Sequence, residues 1–111
     1  MAVSIANVTH NVVGNKRRTA FEVTGPASYT AGGEALTAAQ INQLMPHYAG
    51  QLAATDSDKV LFFASDRDSS DRYMILDKVN DKIMYFTNAG QVTAATNLSS
   101  VTLAAQIEYK A

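Results

Sequence analysis

The chain has 111 residues, Cys 0 and a formal net charge of −1, a length that suits one domain whose core must hold without disulfides. The missing cysteines exclude thiol catalysis and Cys-ligated zinc, and Lys+Arg 9 against Asp+Glu 10 lacks the basic excess that grips nucleic-acid phosphates. Hydrophobic residues at 47% argue against disorder, while charged residues at 17% fall below the roughly 25% of ordinary domains, leaving a surface prone to association.

Period-two alternation of apolar residues dominates and predicts strands. The first covers Ala2 to Val8, with Val12-Val13 resuming it after a turn-like His10-Asn11, and Gly14-Asn15 breaks the chain. Arg18 to Val23 alternates cleanly, with Thr19, Phe21 and Val23 on one face, which reads as a half-buried strand. Gly25-Pro26 ends it, and Ala27 to Glu34 reads as a loop. Thr37 with Gln40 forms a capping box, Leu36 and Ile41 a hydrophobic staple, and Pro46 the stop of one short helix at about residues 38–45. Pro46 to Asp58 reads as a surface loop. Strands follow at Lys59–Ser65, Arg72–Lys78, Lys82–Thr87, Gln91–Ala94 and Val101–Tyr109. The turn between the second and third of these, Val79-Asn80-Asp81, is rich in residues that tolerate the left-handed conformation.

These elements predict a mainly β fold, a small antiparallel β-sandwich or barrel with one short helix, in a single domain over 1–111. The strands Val60–Ala64, Tyr73–Leu76 and Ile83–Phe86 are apolar on both faces rather than alternately. Either both faces are covered within the chain or another subunit covers one of them.

Catalytic constellations are missing from the sequence, and an enzyme is not expected. His10 and His47 lie far apart, outside any metal-binding spacing. No Gly-x-Ser-x-Gly elbow and no phosphate loop occurs. Asp66, Asp68, Ser70, Asp71 and Asp77 follow the spacing of a calcium loop, but Asp71 stands where that loop needs glycine. A solvated hairpin turn is the preferred reading, with no metal and no cofactor expected. Lys16-Arg17-Arg18 is the only basic cluster, read either as a charged strand entrance or as a contact for an acidic partner. No secretory signal and no membrane span is visible.

Three blocks carry a resemblance. Tyr29-Thr30-Ala31-Gly32-Gly33-Glu34-Ala35-Leu36-Thr37, the hairpin Tyr73 to Tyr85, and Asn97-Leu98-Ser99-Ser100-Val101 before a last strand resemble small accessory proteins of tailed-bacteriophage particles. Those are head decoration, cement or head-fibre proteins. The resemblance implies a non-enzymatic virion protein, made in the host bacterial cytoplasm and bound to the capsid exterior. Its partner would be the major capsid (coat) protein, with self-association, a trimer for instance, and no nucleic acid, membrane or small-molecule substrate. A docking segment at residues 1–13, with Val3, Ile5 and Val8, would add to an edge of the coat protein. Arg17 and Arg18 would meet acidic coat residues. The alternative is a fibre-base or adhesin module for a host receptor or glycan, with its site in the loops 27–33 and 53–58.

Overall fold

The computed structural model describes residues 3–110. Strand makes up 45% and helix 13%, so the protein is mainly β, as the alternation predicts. Eight strands form two antiparallel sheets: β1 (Ser4–Val13), β2 (Lys16–Thr24), β3 (Glu34–Ala35), β4 (Val60–Ser65), β5 (Tyr73–Asp77), β6 (Lys82–Thr87), β7 (Gly90–Gln91) and β8 (Thr102–Lys110). Sheet A has the order β1-β2-β8-β4. Sheet B has the order β3-β6-β5, with β7 also on β6.

Sheet A turns one face inward over most of its length. Thr19, Phe21 and Val23 of β2 and Leu103, Ala105, Ile107 and Tyr109 of β8 are buried there. Met74, Ile83 and Tyr85 of sheet B meet this face. The remaining end is covered by α1 (Ala38–Leu44) and a 3-10 turn at Pro46–Tyr48. Thr37 Oγ1 accepts from Gln40 N at 3.2 Å and Gln40 Oε1 from Thr37 N at 3.0 Å, so the predicted capping box forms. The buried Thr19 hydroxyl donates to Leu44 O at 2.6 Å and ties the helix end to sheet A.

Two bulges account for where the alternation misled. In β1 the register slips by one residue between Ala6 and Thr9, with Asn7 at φ 53°. His10-Asn11 is therefore not a turn; the strand runs on to Val13. The extra residue moves the inward set from Val3 and Ile5 to Val8, His10 and Val12. In β4 a second slip lies between Val60 and Phe62. It lets Val60 pair with Tyr109 and Phe63 with Ile107, both on the inner face. A continuous Val-Leu-Phe-Phe run thus belongs to a strand with one covered face.

The Tyr29–Thr37 block is used by the fold itself. The Tyr29 hydroxyl accepts from Tyr85 N at 3.1 Å and from Gln91 Nε2 at 2.8 Å. Gly33 sits at φ 115°, and a Cβ there would meet Ile83 O at 2.9 Å. Glu34 is buried and accepts from Thr30 N at 2.6 Å. Leu36 enters the core and Thr37 caps α1.

Candidate interaction surface

β4 and β5 are edge strands of different sheets, and they run past each other without a ladder. Among the described residues, side chains tie the two strands at both ends of the gap. Ser65 Oγ accepts from Met74 N at 3.1 Å at one end, and Lys78 Nζ donates to Val60 O at 2.9 Å at the other. Between these ties lies an open groove of about 220 Å³, lined by Leu61, Phe62, Phe63, Ile75 and Leu76 among others. Two strand edges that pair with no further strand border it, the arrangement to which an extended segment can add.

The outer face of sheet B continues this surface. The register pairs Tyr73 with Phe86 and Ile75 with Met84, and neighbours in such pairs share a face. The opposite face, with Met74, Tyr85 and Ile83, is the buried one. The Tyr73 and Phe86 rings stack at 6.1 Å, and the Arg67 guanidinium lies 4.3 Å above Tyr73. Leu61 is 53%, Phe62 50% and Ile75 40% exposed. Of the two explanations for strands apolar on both faces, the chain itself covers the inner face and leaves this outer one partly open, with Ile75 exposed and Tyr73, Met84 and Phe86 half-buried. Clustered exposed apolar side chains of this kind mark interaction sites in soluble proteins.

The residues expected to dock a partner divide. Val3 is buried in the protein's own core, and Ile5 and Val8 pack against it. Their side chains face inward, so β1 offers a partner its outer backbone edge instead. Residues 1 and 2 of the expected docking segment lie outside the described residues. Arg18 is committed to Glu108, directly opposite on β8, at 2.5 Å. Arg17 points the other way, inward, and its Nε is buried without a hydrogen-bond partner among the described residues. Tyr29, in the loop 27–33 of the adhesin reading, is buried.

The Asp66–Asp71 segment is a self-satisfied turn. Asp68 accepts from Ser70 N and Arg72 N, both at 2.9 Å, and pairs with Arg72 Nε at 2.7 Å. Partial burial works against its charge, but these bonds and the guanidinium outweigh it and hold the carboxyl below its ordinary value. Among the described residues no group of three or more His, Asp or Glu side chains is placed to hold a metal. Because the folded-state pKa is lowered, Asp68 stabilises the fold fully above about pH 4 and loses that contribution as the pH falls further. Asp68→Asn is expected to cost about 1 kcal/mol at neutral pH. Its deficit shrinks on acidification from about pH 5 to pH 2 in urea melts.

Fold and surface together define a small two-sheet β protein with an open apolar flank and unpaired edges. No helix among the described residues is long and apolar enough to cross a membrane. Compared with protein-family models, curated proteins and solved structures, the chain matches none.

Proposed function

We propose that this protein is a non-enzymatic accessory component of a tailed-phage particle that binds the outer capsid surface and bridges coat subunits. The observation that carries the reading is the open flank: Leu61 and Phe62 beside the β4 edge, with Tyr73, Ile75, Met84 and Phe86 on sheet B. The resemblance of residues 29–37, 73–85 and 97–101 to decoration, cement and head-fibre proteins supports it, as does the low surface charge. The flank, not the inward side chains of β1, is the docking element in this proposal. The mechanism is mechanical. Each copy buries apolar surface on adjoining coat subunits, and many weak attachments raise the barrier to shell rupture.

The test is copy number in purified particles, by quantitative mass spectrometry against the major coat protein. A ratio near parity supports shell decoration. A small fraction of that favours the fibre-base or adhesin alternative, and absence from particles overturns both. Ile75→Lys with Leu61→Lys is expected to lower occupancy at least about tenfold, since two charges enter a desolvated contact. The thermal midpoint should hardly move, because surface substitutions usually stay within about 0.5 kcal/mol.

A further inference from the structure

The bulge in β1 brings together residues that sequence spacing keeps apart. His10 and Val12 of β1, Arg17 of β2 and Tyr109 of β8 lie on the inner face of sheet A, beyond the reach of sheet B. Pro46 and His47 close over them from the 3-10 turn. The result is an open-mouthed pocket of about 390 Å³ holding both histidines of the chain. It shares no residue with the open flank.

Arg17 is the anomaly in this pocket. Its cross-strand neighbours are Val12 and Tyr109, neither of which carries a charge. Its Nε is buried, and no hydrogen bond or ion pair of its side chain occurs among the described residues. Arg17 as a whole is half-buried, but its Nε–H is shut off from water without an acceptor, a costly arrangement that folded proteins rarely tolerate without a use. Among the described residues no carboxylate lines the pocket; Glu108, next to Tyr109 in sequence, faces the opposite side with Arg18. Asn11 is the one other polar residue at the wall; the rest is apolar or aromatic: Val12, Pro46, the imidazoles and the Tyr109 ring. His10 is held in place by its Nδ1, 3.2 Å from Thr19 Oγ1. The Thr19 hydroxyl proton goes to Leu44 O, so His10 is the donor in that bond.

We propose that this pocket binds a carboxylate carried on an apolar group, with Arg17 as its counter-ion. One permanent positive charge matches a monoanion better than a phosphate dianion, which commonly draws several charged donors. The apolar walls supply affinity for the body of the ligand and fix its direction. The carboxylate arrives either as a free organic acid or as the C-terminus of a polypeptide ending in an apolar residue.

The experiment is an NMR titration of the full chain with 3-phenylpropionate, with a short peptide ending in phenylalanine, and with inorganic phosphate. Saturable shifts of the Arg17 Nε–H, His10, His47 and Tyr109 signals are expected with the carboxylates; whichever binds tighter identifies the source. Arg17→Met keeps the apolar stem and should weaken binding at least about tenfold. Should Arg17→Met fail to fold, Val12→Glu serves instead, because it places an internal carboxylate opposite Arg17 at an exposed position. Val12→Glu should abolish the response while the circular dichroism spectrum is unchanged. Carboxylate binding that survives Val12→Glu or a folded Arg17→Met overturns the proposal. So does tighter binding of phosphate than of either carboxylate, or no saturable response at all.

Discussion

Leu98→Ala is expected to lower the free energy of unfolding by about 3 kcal/mol, the usual size for a fully buried leucine. Leu98 is 0% exposed and sits in a loop that behaves as part of the frame. Its N–H donates to Pro26 O at 2.8 Å, Val101 N donates to Leu98 O at 2.9 Å, and Gly25 N donates to Val101 O at 3.1 Å. The segments around Gly25 and Leu98 therefore pair backbone to backbone, outside either sheet. A Cβ on Gly25 would lie 2.5 Å from Leu98 Cβ and 2.7 Å from Leu98 O. Gly25→Ala is expected to cost about 2 kcal/mol, since neither atom can move without the backbone. The double variant distinguishes this account from simple overpacking. Leu98→Ala leaves both clashing atoms in place, so it should not rescue Gly25→Ala, and the two costs should add. Urea denaturation checks this: the midpoint falls in steps while the slope stays constant.

Gly25 illustrates what the sequence conceals. Beside Pro26 it reads as the end of a strand, and it does end one. That the position demands glycine for a close approach depends on Leu98, far along the chain. Local signals carried further. Thr37, Gln40 and Pro46 bound the helix within a single segment, so the capping box was legible without tertiary information. The hairpin of β5 and β6 was legible for the same reason. Bulges were not, because an inserted residue changes only the phase of the pattern, and an apolar run such as Val60 to Phe63 hides that phase. The candidate sites suffered most. Whether the outer face of sheet B is covered depends on what the rest of the chain packs against it. That Arg17 faces inward is hinted at by its parity with Thr19, Phe21 and Val23, but the pocket around it needs the β1 bulge and the turn at Pro46–Tyr48.

Two tyrosines in one contact should respond with opposite sign. Tyr29 and Tyr85 meet edge to face at 5.8 Å, and both are buried. The Tyr29 hydroxyl accepts from the Tyr85 backbone N–H and from Gln91 Nε2. Tyr29→Phe strands that buried N–H and should destabilise the fold by about 2 kcal/mol. The Tyr85 hydroxyl, by contrast, has no hydrogen-bond partner among the described residues. Tyr85→Phe removes a buried unpaired group and should be neutral or stabilising by up to about 1 kcal/mol. Alkaline titration separates them further. Burial, then the neighbouring Tyr29 and Glu34, push the Tyr85 phenol well above its ordinary value. A raised folded-state pKa means the unfolded chain ionises first, at about pH 10. Stability should therefore fall as the pH rises above that point, and Tyr85→Phe should flatten the decline. Because β6 carries Tyr85 on its inner face and Met84 and Phe86 on its outer one, the Tyr29 contact also sets how firmly the open flank is presented. Under the proposed capsid role, particle binding should accordingly weaken in Tyr29→Phe as the temperature approaches its lowered midpoint, and persist in Tyr85→Phe.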